Sequence, residues 1–226
     1  MKKIEVLGNE IKDYPLKELL KLATDGLNTP GVMTISWLSG NILRSVNDKP
    51  EQKEWLNNID ITICPDSRTL KSHDSVFERS NDGKSQDFID IYFKYLSKVD
   101  VDIAIVADSE KRMAQIKKWI GEKGVKVNVV SEFIIDDIEK RDFLFNSLNI
   151  EMTKMVITCL PWPLQGELFC YAKHLSNSSA WLAILPDMVQ EEKSHTQGIE
   201  RLLGSLLRQK TTKKSKKKSK KYSKKT

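Results

Sequence analysis

Apolar residues along this chain follow two alternating rhythms, and their alternation predicts an architecture. Val32-Met-Thr-Ile-Ser-Trp37, Val101-Asp-Ile-Ala-Ile-Val106, Met155-Val-Ile-Thr-Cys159 and Trp181-Leu-Ala-Ile-Leu185 are short runs rich in β-branched and aromatic residues, the signature of buried strands. Residues 3–8, closing at Gly8, and 125–130 read as two more. Between the runs the period becomes helical. Leu16, Leu19, Leu20, Leu22 and Ala23 within 13–27, and Phe88, Ile89, Tyr92, Phe93 and Leu96 within 86–98, predict amphipathic helices. Residues 40–57 read as helix interrupted at Asp48-Lys-Pro50, and 109–123, 136–148 and 165–175 as further helices. Strands alternating with helices, through connections too long for hairpins, predict an α/β fold: a mainly parallel sheet with helices on both faces, Rossmann-like in class.

One strand ends on chemistry. Ile59, Ile61 and Ile63, followed by Cys64, form a short apolar strand that stops at Pro65, which has no N–H for a sheet ladder. The next side chain is Asp66. Ligands of open α/β sheets bind just outside the carboxyl ends of strands. A carboxylate there either takes a proton from a bound hydroxyl or caps the following helix, and the spacing alone favours the cap.

A second polar cluster follows the 155–159 strand, in Leu160-Pro-Trp-Pro-Leu-Gln-Gly-Glu167. Prolines stiffen the exit, and Gln165 and Glu167 enter the next helix near its amino end. Unpaired N–H groups and a positive dipole at such an end suit a diphosphate. Gln165 offers a donor and an acceptor together, as a sugar or uracil requires. Standing alone, the motif is better explained by loop stiffening and helix capping.

Composition changes the picture in two places. Cys64, Cys159 and Cys170 are too few and too scattered for a disulfide framework or a zinc site, and their apolar surroundings predict buried free thiols in a reducing compartment. The start of the chain has no signal-peptide pattern and no window is long and apolar enough for a membrane span, which predicts a cytoplasmic protein. Neither a GxGxxG fingerprint nor a Walker A loop occurs, which argues against nicotinamide and P-loop chemistry. His73, His174 and His195 are far apart in polar contexts and read as solvated surface positions.

Charge is split. Residues 208–226 hold Arg208 and ten lysines with no acid, so residues 1–207 carry 37 − 11 = 26 basic groups against 31 acidic ones, a net of −5. Before this tail, Ile199, Leu202, Leu203, Leu206 and Leu207 line one face of a predicted amphipathic helix. The domain division expected is 1–197 as the α/β domain, 198–209 as that helix and 210–226 as a disordered polylysine tail. The helix either docks on the body or lies on a bilayer. An apolar helix plus a polybasic stretch supplies the two signals of peripheral anchoring, and each basic residue adds on the order of 1 kcal/mol near anionic lipid. Nucleic acid would attract the same tail, but the acidic body continues no basic track, so the anionic membrane is favoured.

Taken together, residues 4–207 resemble the WecB/TagA/CpsF glycosyltransferase family of bacterial surface-polysaccharide and teichoic acid synthesis. The resemblance rests on the opening strand with Gly8, the Asn41–Asp66 block ending in Pro-Asp, and Glu78-Arg79 ahead of Gly83 and Asp87. It also rests on Leu160-Pro-Trp-Pro163-Leu-Gln165-Gly-Glu167, similar to a G-x-P-x-Q-E motif, and on Gly198-Ile-Glu200-Arg. It implies inverting, metal-independent transfer of an N-acetylhexosamine-type sugar from a UDP-sugar to a polyprenyl-diphosphate-linked saccharide, with no cofactor. Asp66 would be the general base, and Arg79, Gln165, Ser39 and Glu167 would hold substrate, at the inner face of the cell membrane.

The chain departs from the family where a nucleotide would sit. T-x-N becomes Trp37-Leu-Ser39, a G-G turn becomes Ala107-Asp108-Ser109, the glycine after Pro-Asp is Ser67, and a glycine-rich stretch becomes Pro186-Asp187-Met. Side chains there narrow a donor pocket. They keep open a second expectation, a catalytically silent relative serving as a binding or scaffold subunit; a homo-oligomer is compatible with both.

Overall fold

A computed structural model describes residues 2–63, 85–123 and 126–189. Its centre is a six-stranded, all-parallel sheet in the order β4-β3-β8-β7-β5-β6. The strands are β3 (Met33–Trp37), β4 (Ile61–Ile63), β5 (Asp102–Ala107), β6 (Asn128–Ile134), β7 (Met155–Cys159) and β8 (Ala180–Ala183). All of β7 and β8, and β5 beyond Asp102, are buried, as strands covered on both faces must be. Their unbroken apolar runs have this cause. The edge strand β6 instead alternates between exposed and half-buried positions.

Helices on the two faces come from crossovers in opposite directions. On one face lie α1 (Leu16–Gly26), α4 (Ser85–Val99), α5 (Glu110–Glu122) and the short α8 (Pro186–Val189), contributing Leu19, Phe88, Tyr92, Met113, Ile116 and Val189 to one core. On the other lie α2 (Gly40–Ser45), α3 (Pro50–Asn57), α6 (Arg141–Glu151) and α7 (Leu164–Leu175), contributing Leu43, Leu56, Leu144, Leu148, Leu168 and Phe169 to a second. Trp181 on β8 anchors that second core, with Phe145 at 5.6 Å and Phe169 at 6.2 Å between ring centroids. Adjacent strands β5 and β7 therefore send their chains to opposite faces, the topological position at which ligands of open α/β sheets bind.

Three elements differ from the sequence pattern. Residues 3–8 are not a lone strand: β1 (Lys2–Val6) pairs antiparallel with β2 (Asn9–Asp13) as a separate hairpin. Leu7 and Gly8, at φ 52 and 78, make the two-residue turn whose twist suits a hairpin. Asn9 hides this strand from a hydrophobicity pattern because it is polar yet buried, its Nδ2 donating to the Leu7 and Leu43 carbonyls and to Asn47 Oδ1, all at 3.0 Å. Strand β6 runs from 128 to 134 rather than 125–130, since pairing to β5 begins at Asn128 opposite Asp102. The 136–148 helix starts as a 3₁₀ turn, Ile138–Lys140, capped by Asp137, and α6 then extends to Glu151.

Asp66, Ser67 and Arg79 of the candidate site, Cys64, the 198–209 helix and the 210–226 tail lie outside the described residues. Among the described residues no helix is long and apolar enough to cross a membrane.

Candidate functional site

Parallel pairing lines up the strand ends. Ala107 stands opposite Cys159, Thr158 opposite Ala183, Ser36 opposite Ala183 and Trp37 opposite Ile63, so one row crosses the sheet at its carboxyl edge. Each helix that follows a strand begins at this edge. Ser39, after β3, caps α2 by accepting from the Ile42 N–H at 3.2 Å. Ser109, after β5, caps α5 by accepting from the Arg112 N–H at 3.3 Å.

Gln165 sits in the first turn of α7, one turn ahead of Leu168 and Phe169 and two ahead of Ala172, which pack on the sheet. This spacing puts it on the sheet-facing side of the helix, over the end of β7. It is 4 % exposed, and neither its Oε1 nor its Nε2 has a hydrogen-bond partner. Among the described residues no other side chain has two polar atoms orphaned. Burying such an amide unpaired costs about 1–3 kcal/mol on mutational scales. Folding alone does not explain its retention. Glu167, half-buried, lies in the same first turn.

Two further groups lie on this edge, of which Arg112 escapes a linear reading. Arg112 comes off α5 and reaches across strand ends: its Nη1 donates to the Pro186 carbonyl at 3.2 Å and to Gln115 Oε1 at 3.4 Å. Its Nε lies 3.5 Å from Asp108 Oδ1, an ion-pair contact without hydrogen-bond geometry, so that buried N–H is formally orphaned. Trp37 Nε1, at the end of β3, is buried and orphaned as well, with the indole packed against Phe88 at 5.7 Å. Electrostatics confirm the crowding. Burial pushes the Cys159 thiol up to about 12, with the Arg112 charge pulling it down and Asp108 pushing it further up.

Trp162 is the other missed residue, although its place between two prolines is a visible signal. Its Nε1 donates to Oε1 of the buried Gln52 at 2.9 Å, tying the β7–α7 exit to α3. Its six-membered ring lies on Gly166 so closely that a Cβ there would stand 2.4 Å from Cη2.

Of the expected site residues, Ser39, Gln165 and Glu167 thus lie along one edge of the sheet, and β4, which Asp66 follows in sequence, ends on the same edge. The thiol expectation is corrected in one respect. Cys159 is buried and free, but Cys170 is free and only half-buried, with Asn58 Nδ2 at 3.6 Å, because it faces α3 across α7 rather than the sheet. His174 is exposed as expected. Among the described residues no cluster of His, Cys, Asp or Glu is placed to hold a metal ion. No protein-family model matches this sequence, and no curated protein matches it.

Proposed function

We propose that this chain is an inverting glycosyltransferase that moves an N-acetylhexosamine-type sugar from a UDP-sugar to a hydroxyl of a polyprenyl-diphosphate-linked saccharide. The observation that carries the proposal is the orphaned, buried amide of Gln165 in the first turn of a helix at the carboxyl edge of a parallel sheet. There the helix dipole at the amino end of α7 favours a diphosphate, and the amide offers a donor and an acceptor to a sugar or uracil.

In the proposed reaction Asp66 takes the proton of the acceptor hydroxyl as its oxygen attacks the anomeric carbon. The bond from that carbon to the diphosphate breaks on the opposite face, and UDP departs carrying the electron pair. Inversion follows from that single displacement. Negative charge growing on the diphosphate meets the amino ends of α5 and α7 and the Arg112 guanidinium, itself partly balanced by Asp108. The basic 208–226 tail and the leucine face at 199–207 are proposed to hold the enzyme on anionic lipid, where such an acceptor resides.

The test is release of UDP from a panel of UDP-sugars with a lipid-diphosphate saccharide acceptor. Asp66→Asn should lower turnover by about 10²–10⁴-fold, the ordinary contribution of an aimed base, with UDP-sugar affinity retained. Equal turnover in the two proteins would return Asp66 to helix capping. Trp37 favours a second reading, a silent binding subunit, because its indole occupies the core at the position where the family it resembles carries a threonine. That reading predicts UDP-sugar binding without UDP release in the wild-type protein.

A further inference from the structure

We infer that the outward face of α6 is the contact surface of a two-fold homodimer, in which α6 of one copy lies antiparallel on α6 of a second. The three most exposed large apolar side chains among the described residues belong to this helix or to the residue that follows it: Phe143 at 66 %, Ile150 at 82 % and Met152 at 78 %. The other side of α6 already holds its core contacts, Leu144, Phe145 and Leu148. Phe143 and Ile150 are seven residues apart, so they stand in line about 10 Å apart on the solvent side. Phe133 meets Phe143 edge-on at 6.3 Å and 75°, which holds the exposed ring in place. Met152 ends the helix at φ 53, the left-handed conformation that glycine adopts at least cost. Leu175 adjoins the same end, its carbonyl accepting from Asn149 Nδ2 at 2.8 Å. Packing within one copy leaves most of this apolar surface in water, and exposed apolar surface beyond a few hundred Å² marks an interaction site.

Spacing and charge select the occupant. With a two-fold axis at Asn146, antiparallel helices set Phe143 of each copy against Ile150 of the other. Lys140, directly before the helix, and Glu151, at its end, are eleven residues apart, about three turns, and fall on one side of it. Their midpoint lies within one residue of the midpoint of Phe143 and Ile150. One axis therefore serves both pairs, and it places each exposed lysine beside the glutamate of the other copy. A parallel arrangement would set lysine beside lysine and glutamate beside glutamate. Lys140 is paired with Asp136 of its own chain, but exposed pairs of this kind are weak and exchange readily. Asn146, exposed at the axis, carries a donor and an acceptor that match a second Asn146. An isologous contact has this reciprocity. An anionic bilayer is the other surface that could cover an apolar face, and here the rim opposes it: residues 136–154 hold five acids against three bases. A contact built on one helix is at the small end of specific interfaces, which makes the dimer a reversible one.

The experiment is sedimentation equilibrium of the full-length protein over a wide concentration range at physiological salt. The mass should rise from 25.9 kDa towards twice that value, with a dissociation constant of about 1 µM or weaker. Ile150→Asp sets a carboxylate against Phe143 of the other copy and should weaken association about tenfold or more. Ile91→Asp, at an exposed apolar position of α4, is the control and should leave association unchanged. Both sites are exposed, and circular dichroism melts check that each variant folds. Lys140→Glu and Glu151→Lys should each weaken the dimer by setting like charges together, and the double exchange should restore it. A double exchange no tighter than either single variant would overturn the antiparallel arrangement. A protein that stays monomeric at every concentration would overturn the inference, as would association that Ile150→Asp leaves untouched. A monomeric protein whose co-sedimentation with phosphatidylserine-containing vesicles falls in Ile150→Asp would give this face to a bilayer and overturn it as well.

Discussion

Gly166→Ala tests the packing behind the site, because two opposing effects act on it and their sizes decide the sign. In a helix interior alanine is favoured over glycine by about 0.8–1.0 kcal/mol, and in the first turn of α7 the gain is at most that. Against it, the new methyl would stand 2.4, 2.5 and 3.1 Å from Trp162 Cη2, Cζ3 and Cζ2. The indole is not the loose end of a flexible chain. It is tethered through Nε1 to Gln52, so it moves only by straining or breaking that bond. Overpacking of this kind costs about 1–3 kcal/mol, and leaving the buried Gln52 oxygen unpaired about 1–3 kcal/mol more. The net expectation is destabilisation by about 1–5 kcal/mol, or a Tm lower by roughly 2–20 °C for a chain of this size. Gly121→Ala is the internal control. Nothing lies within 4 Å of a Cβ there, so propensity acts alone and Tm should rise by a degree or more. Thermal melts by circular dichroism, with the near-ultraviolet tryptophan signal followed in parallel, give both numbers. A Gly166→Ala protein as stable as wild type would show that the indole is free to swing away.

Gln165→Leu should stabilise the ligand-free protein by about 1 kcal/mol in urea titration, since it removes an unpaired buried amide, while UDP-sugar affinity falls at least tenfold; a less stable variant would mean that the amide is satisfied in the native state. Burial pushes the Cys159 thiol from 9.0 up to about 12, so the native state keeps a proton that the unfolded chain releases earlier. Its contribution to stability is whole below pH 9 and fades as pH rises towards 12, and iodoacetamide at pH 8 should leave Cys159 unlabelled in peptide maps of the native protein but not of the urea-unfolded one. Prompt native labelling would refute the burial. Truncation after residue 207 removes a charge of +11 and should abolish most co-sedimentation with anionic vesicles at low salt, whereas equal sedimentation would rule out the tail as an anchor.

The sheet was legible in the sequence because parallel strands covered on both faces need apolar residues at nearly every position, and β3, β5, β7 and β8 announce themselves that way. The hairpin was not, because its partner strand contributes one apolar residue, Ile11, and a buried polar one, Asn9, whose burial depends on carbonyls of Leu7 and Leu43. Strand β6 slipped by three residues for a related reason. At a sheet edge the apolar pattern is weak, and the register is set by pairing to β5, with a bulge between Ile103 and Ala104. Gln165 was visible as a polar residue at a helix start. Its lack of a partner, which gives it meaning, was not visible. Arg112 had no linear signal at all: it matters only because strand order sets β7 between β8 and β5, bringing Pro186, Asp108 and Cys159 to one guanidinium.

The distribution of unpaired groups separates a functional edge from a structural one. Away from the carboxyl edge, buried and half-buried polar groups close on one another: Asp60 accepts from the Thr34 N–H and hydroxyl, both at 2.9 Å, and from Lys173 at 2.7 Å. The exceptions there are the single hydroxyls of Ser131, Thr153 and Ser178 and the side-chain oxygen of Asn9, whose amide nitrogen is fully used. At the carboxyl edge the orphans are an indole N–H on β3, a guanidinium N–H on α5 and a complete amide on α7. Donors dominate that set, and one acceptor accompanies them. A ligand rich in acceptor oxygens with some hydroxyl or amide donors, as a sugar nucleotide is, complements that set; an apolar ligand or a bare cation does not. The same asymmetry explains why replacing the Gln165 amide by an apolar side chain should raise stability while lowering affinity, which an ordinary core substitution would not do.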